Sequence, residues 1–211
     1  MIKFKEKTRE ELIAGFKRSI ERKKEFEEQA QKEFADMRKR GAELKSALWN
    51  RLIFLPLLNA PYSVWNVADY YYFRTKHGAI YKIGFMDDDT IWESGAYQFV
   101  IVNENHTPSP NDPKLRETIF CIIENFFKVN PEILLYLCET GDGKQASRNR
   151  LFVRWFREYA QKHLYYFDTV EMSADGIENF AAIIVQKTNP MLNEIVETFN
   201  YVVNTLKDKP E

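Results

Sequence analysis

The most constraining feature of the sequence is an uninterrupted apolar run, ILLYLC, from Ile133 to Cys138. Six consecutive apolar residues cannot alternate between core and solvent, so the run predicts a strand that is buried on both faces. Helical periodicity precedes it, beginning at Asp112-Pro113, which is a typical N-cap and first-turn pair. A second helical pattern follows it, with Phe152 and Trp155 on its inner face. The order predicts a central strand covered by helices.

More strands are expected on either side of this run. The segments Asp69–Thr75 and Ala79–Phe85 are rich in β-forming residues and are separated by Lys76-His77-Gly78, which predicts a β-hairpin. Residues 97–102, 165–172 and 180–186 also have strand composition, and a last helix begins after Asn189-Pro190. Together these elements predict the α+β class, with a mixed, mostly antiparallel sheet flanked by helices.

The N-terminal fifty residues predict a long charged helix. Thr8 and Glu11 form a capping-box pattern. Apolar residues then recur at helical spacing, although Lys23 and Gly41 interrupt the stripe. A helix with so narrow a stripe needs a surface to pack on. The residues that such a surface would contact include Phe16, Ile20, Phe26, Phe34, Met37 and Leu44.

Three segments are predicted along the chain: a charged helical arm at 1–50, an apolar connector at 51–67 and an α/β domain at 68–211. Residues 1–51 contain 15 basic and 10 acidic residues, whereas the remaining 160 contain 15 basic and 21 acidic residues. This polarity favours docking of the arm on its own or a neighbouring domain. The alternatives are a structural helix across its own domain and a coiled-coil or partner-binding arm.

The loop after the apolar run is the candidate ligand site. Glu139, Asp142 and Lys144 follow a strand end, where ligands of open α/β sheets bind. Arg148 is expected at the edge of the apolar helix face, half-buried and paired with Asp142 or Glu139. The alternative is a glycine turn in which Asp142 caps the next helix.

Other chemistry-bearing residues do not form a recognisable set. His77, His106 and His163 lie in turns or loops without ligand spacing, so neither a metal site, a catalytic set nor a cofactor is expected. The acidic run 87–89 is expected to be a solvated turn. Cys121 and Cys138 are expected to be reduced. Without a signal peptide or an apolar run of about 20 residues, the chain is expected to be cytoplasmic and not membrane-bound.

Several segments resemble a bacterial family of unknown function. They are YYYFRTKHGAIYKIGF, DPKLRETIFCIIENFF, LLYLCETGDGKQASRNRLFVRWF and AAIIVQKTNPMLNEIVETF, and the resemblance covers about residues 68–204. That family has no assigned activity, so the resemblance implies no reaction.

The predicted element order from Tyr70 is also similar to the core of GNAT acetyltransferases. The resemblance implies acetyl-CoA binding by a glycine-rich loop between the third strand and its helix. Here that loop is NENHTPSPNDP, which has no glycine, and its prolines lack an amide hydrogen. The cofactor site of that family is therefore expected to be lost.

These observations lead to three functional hypotheses. The first is a non-enzymatic protein-interaction module, in which the arm binds a partner or a second copy. The second is a divergent acyltransferase-like enzyme that acts on a small ligand near Glu139–Lys144. The third is nucleic-acid binding through the arm and the face of Arg150, Arg154 and Arg157, although the glutamates among the basic residues of the arm weaken its field.

Overall fold

The structure is a computed structural model that describes residues 4–43, 60–67, 69–108, 111–138, 145–174 and 177–207. The helices in these ranges are α1 (Arg9–Glu43), α2 (Pro113–Val129), α3 (Gln145–Glu158) and α4 (Leu192–Lys207). The strands are β1 (Val64–Val67), β2 (Tyr70–Arg74), β3 (Ile80–Asp87), β4 (Ala96–Asn103), β5 (Ile133–Cys138), β6 (Tyr165–Ala174) and β7 (Ile177–Gln186).

The seven strands form one mixed sheet in the order β1-β2-β3-β4-β5-β7-β6. The β4–β5 pair is parallel, with Ala96 opposite Ile133. The pairs β1–β2, β2–β3, β5–β7 and β6–β7 are antiparallel. This sheet confirms the predicted α+β class, and every residue of β5 is buried as its composition predicted. Strand β1 was not predicted, because it falls in the segment that was interpreted as a connector.

The chain divides into two compact units. The terminal unit comprises Met1–Glu21, Met86–Phe99 and Phe127–Glu211, and the hairpin unit comprises Arg22–Phe85 and Val100–Phe126. The predicted division into arm, connector and domain stays a prediction. Most of the 51–67 connector lies outside the described residues.

The core of the terminal unit joins the start of α1 to α4 and one face of the strands. Leu12 and Phe16 are fully buried there, with Leu135 of β5 and Phe199 of α4 in the same cluster. The capping box predicted at the start of α1 is present: the Thr8 amide donates to Glu11 Oε2 at 2.7 Å, and the Glu11 amide donates to Thr8 Oγ1 at 3.2 Å. The helix therefore begins where the sequence indicated.

A second aromatic layer lies on α3. Phe152 stacks on Tyr136 of β5 with ring centroids 4.0 Å apart, and Phe156 stacks on Phe167 of β6 at 4.2 Å. Consecutive β5 residues thus serve opposite faces of the sheet, since Leu135 belongs to the first cluster and Tyr136 to this one.

The hairpin unit has aromatic residues on both faces of its strands. On one face, Phe85 stacks on Phe126 of α2 with centroids 4.3 Å apart. On the other face, Phe26 of α1 contacts Tyr70 edge-on at 5.2 Å. The predicted β2–β3 hairpin is confirmed, with Tyr72 opposite Lys82. Lys82 therefore lies on the same face as Tyr72, beneath α1.

Candidate functional site

A lysine is buried under α1 in the hairpin unit. The Lys82 side chain is 1% exposed, although it projects from the middle of β3. Room for the covering helix comes from Gly84, two residues along the same face. A Cβ at Gly84 would lie 3.0 Å from two ring atoms of Phe26 and 3.2 Å from Tyr70. The missing side chain therefore lets the Phe26 ring pack against the strand beside Lys82.

The Lys82 ammonium has one carboxylate and three aromatic rings around it. Nζ donates to Glu33 Oε2 of α1 at 2.9 Å. It also lies 4.2 Å from the Tyr70 ring centroid, 4.9 Å from that of Phe26 and 5.8 Å from that of Tyr72. Ring faces attract a cation, so they replace part of the hydration that the ammonium loses on burial.

Glu104 is the second carboxyl group of this region. Its backbone amide donates to the Ile80 carbonyl at 2.9 Å, which places it beside β3 on the Lys82 face. The side chain is only 3% exposed, yet neither carboxylate oxygen has a hydrogen-bond partner among the described residues. The large majority of buried side-chain polar atoms in native proteins have one. We refer to Lys82, Glu33, Glu104, Tyr70, Tyr72 and Phe26 as the Lys82 cluster.

The electrostatics of the Lys82 cluster set its two carboxyl groups apart. Burial raises the pKa of Glu104 to about 7, against the opposing pull of Lys82 and with a smaller contribution from Glu33. Burial also acts to raise the pKa of Glu33, but hydrogen bonds from Gln29 and Lys82 outweigh it and hold that pKa below its usual range. Carboxyl groups with such different environments are typical of functional sites.

The pKa of Tyr72, which lies next to these carboxyl groups, is also shifted. Burial, together with the charges of Glu104 and Glu33, raises the pKa of Tyr72. Its hydroxyl therefore remains a neutral donor and acceptor at physiological pH. The Lys82 cluster thus combines a fixed cation, an ionised carboxylate near solvent, a carboxyl group that titrates near neutrality, and aromatic faces.

The predicted ligand site is largely outside the described part of the chain. Glu139, Asp142 and Lys144 fall in the range 139–144, which the structure does not describe. Arg148 is described, and the expectation that it is half-buried is wrong, because the residue is exposed. It lies in the first turn of α3, one turn before Phe152, the first α3 residue that the core covers. Because an exposed guanidinium keeps its hydration, burial does not require a carboxylate partner for Arg148.

The arm residues proposed for interaction are partly used within the chain itself. Phe16 is buried in the terminal unit and Phe26 in the hairpin unit. Ile20 and Phe34 are half-buried. The side chains of Met37 and Leu44 lie outside the described residues.

One acidic residue in the terminal unit differs from the sequence expectation. The acidic run 87–89 was expected to be a solvated turn, which is wrong for Asp88, because that residue is buried. Its carboxylate accepts hydrogen bonds from the Ser19 hydroxyl of α1 and, at 2.9 Å, from the Thr90 amide. Lys7 Nζ donates to the Asp89 and Thr90 carbonyls at 2.7 and 3.0 Å. These bonds hold the first half of α1 in place.

The N-terminus of α2 is already occupied by a side chain of the protein. Asp112 accepts from the Lys114 amide at 3.1 Å and from the Tyr62 hydroxyl at 2.6 Å. Burial acts to raise the pKa of Asp112, but these hydrogen bonds outweigh it and keep the pKa low. An ionised carboxylate therefore caps the helix at the place where an anionic ligand would otherwise bind.

Sequence reasoning missed Lys82 and Glu104. Lys82 lies in an alternating strand, where a charged residue is ordinarily assigned to the solvent face, and Glu104 lies in a loop rich in polar residues and proline. One signal was available in the sequence: the residues that share a strand face with Lys82, Ile80 and Gly84, are not polar. A lysine between them is therefore on a face that the core can cover.

The described residues contain no group of three or more histidine, cysteine, aspartate or glutamate side chains that could hold a metal ion. None of the described helices is both long enough and apolar enough to cross a membrane.

Comparison with known proteins gives one family match. Residues 111–201 match a family described as Family of unknown function (DUF6169). The matched range runs from the start of α2 into α4, and it supports the resemblance to a family without an assigned activity. No curated protein and no solved structure matches the chain.

Proposed function

We propose that this protein binds a small polar ligand at the Lys82 cluster. The observation that carries the proposal is Glu104, which is 3% exposed and has two carboxylate oxygens without a hydrogen-bond partner among the described residues. Leaving a buried acceptor unsatisfied costs about 1–3 kcal/mol, and more for a charged group. A ligand that donates hydrogen bonds to Glu104 would remove this cost.

Access to the cluster is supported by its outer carboxylate. The Glu33 side chain is 42% exposed, and the atom it contacts, Lys82 Nζ, is buried. The ammonium is thus one hydrogen bond from solvent. A ligand that approaches beside Glu33 would meet the Lys82–Glu33 ion pair first.

The resemblance to acetyltransferases raises the question whether the ligand is acetyl-CoA. The elements from β2 to β7 follow the order on which the resemblance rested. In that family the cofactor pyrophosphate binds at the helix that follows the third strand of this order, which corresponds here to α2. Asp112 caps α2 with a carboxylate that would repel phosphate. These facts support a ligand other than acetyl-CoA.

A thermal-shift screen of polar metabolites on the full chain tests the proposal. A ligand at one hundred times its dissociation constant stabilises the folded state by about 2.7 kcal/mol. We expect compounds that raise the melting temperature of the wild type but not that of Glu104→Gln. Glu171→Gln, at an exposed position on β6, is the matched control and should respond like the wild type. Stabilising compounds that act equally on all variants would contradict the proposal.

A second candidate is self-association through the C-terminal part of α1. It is favoured by Phe34, which is half-buried and lies one turn after the buried Ala30. The net positive charge of residues 1–51 and the net negative charge of the rest favour a second copy as the occupant. Light scattering of the wild type and of Phe34→Glu tests it. A wild type that is monomeric over the whole concentration range would exclude this candidate.

A further inference from the structure

The charge balance of the Lys82 cluster indicates the kind of ligand. Lys82 is paired with Glu33 at 2.9 Å, so its positive charge is already compensated. Glu104 adds a second carboxyl group on the same face of the sheet, and the rings of Phe26, Tyr70 and Tyr72 lie around the Lys82 ammonium. One cation therefore faces two carboxyl groups and three rings, which favours a further positive charge.

We propose that the ligand carries a protonated nitrogen, as in a primary ammonium or a guanidinium group, which donates hydrogen bonds to both Glu104 oxygens. This inference rests on the proposed function of the same site. Both oxygens are acceptors when Glu104 is ionised, and each lacks a donor among the described residues. A cation with several N–H donors satisfies both at once.

Other ligand classes fit the site less well. A carboxylate or phosphate would face Glu104 and Glu33 and would have to compete with Glu33 for Lys82. A neutral amide would satisfy the acceptors but would leave the excess negative charge uncompensated in a buried site. The ammonium of Lys82 already lies over aromatic rings, which shows that this face of the sheet accommodates a cation.

Binding of such a cation should depend on pH through Glu104. The titratable groups that face Glu104 are Lys82 of β3, Glu33 of α1 and Tyr72 of β2. The pKa of Glu104 is about 7 without a ligand, and a cation binds the ionised form. The ionised fraction rises about tenfold between pH 6 and pH 8, so the dissociation constant should fall about tenfold. A carboxylate ligand would show the opposite trend.

Calorimetric titration of the full chain distinguishes these classes. The probes are propylammonium, propylguanidinium, propionamide and propionate, which have similar size but different charge. We expect one or both cations to bind the wild type, about tenfold more tightly at pH 8 than at pH 6. Which cation binds separates an ammonium ligand from a guanidinium ligand.

Two variants make the titration decisive. Glu104→Gln should weaken cation binding at least tenfold, and the exposed control Glu171→Gln should leave it unchanged. Melting curves of both variants establish that they are folded.

The failures of the two proposals can be told apart. Binding of propionate or propionamide through Glu104, at least as tight as that of the cations, would overturn the cationic class but would leave ligand binding at the site intact. Cation binding that persists in Glu104→Gln would overturn this inference. If neither the probes nor the metabolite screen yields a Glu104-dependent ligand, both proposals fall.

Discussion

The substitution Glu104→Gln should make the protein more stable at alkaline pH. Glu104 is buried without hydrogen-bond partners among the described residues, and its pKa is raised from 4.5 to about 7. Because the folded state holds this proton more tightly than the unfolded state, stability falls as the pH rises from about 4.5 to about 7 and then levels off. A neutral glutamine of the same size removes this loss.

The size of the stability difference between Glu104→Gln and the wild type follows from the raised pKa of Glu104. At about 1.4 kcal/mol per pKa unit, the shift gives an upper limit of about 3 kcal/mol, and screening by the solvent that reaches Glu33 reduces it to roughly 2 kcal/mol. Wild type and variant should therefore have equal stability near pH 4.5, and the variant should be more stable at pH 8. The difference develops between these values.

Urea unfolding of the two proteins from pH 4.5 to pH 8.5 measures this difference. Titrating groups remote from Glu104 contribute equally to both proteins, so the difference between their unfolding free energies reports Glu104 and its coupling to Lys82, Glu33 and Tyr72. Glu171→Gln, at an exposed position on β6, serves as the control for the loss of a surface carboxylate. If Glu104→Gln were less stable than the wild type at pH 8, the carboxylate would be a stabilising, satisfied group, and the argument for the site would fail.

Three further substitutions test the packing described above, each by urea unfolding. Phe16→Ala should destabilise the protein by about 3–5 kcal/mol, because it opens a cavity in the terminal unit; a loss below about 1 kcal/mol would contradict the burial of α1. Gly84→Ala should cost about 1–3 kcal/mol, since its Cβ would lie 3.0 Å from the Phe26 ring; an unchanged midpoint would mean that Phe26 does not pack there. Tyr62→Phe should cost about 1–2 kcal/mol through the lost hydrogen bond to Asp112, and full stability at neutral pH would refute that contact.

Most of the secondary structure could be predicted because apolar periodicity reports which face of an element is covered. The β2–β3 hairpin, the buried β5 and the start of α2 at Pro113 all follow from such patterns. Strand β1 could not be found in this way. It has four residues and follows a proline-rich segment, and its pairing with β2 depends on a partner elsewhere in the chain.

The candidate site was hidden for a related reason. Periodicity treats every charged residue as solvent-facing, so Lys23 was interpreted as an interruption of the α1 stripe, whereas it is buried and lies 3.8 Å from Glu27. Asp88 was misjudged in the same way, and Lys82 was not singled out at all. Lys82 donates to Glu33 of α1, and Asp88 accepts from the Ser19 hydroxyl of α1. Only these tertiary contacts reveal the partners that make burial of the two charges tolerable.

Neither compact unit is a continuous stretch of chain, and this affects the order in which a nascent protein can bury its core. The hairpin unit can be completed once Phe126 has been synthesised. Leu12 and Phe16 belong to a cluster that also needs Phe199 and Leu206 of α4. During synthesis these two side chains cannot be fully buried until α4 has been made, so co-translational chaperones would meet the start of α1 with its apolar face still exposed.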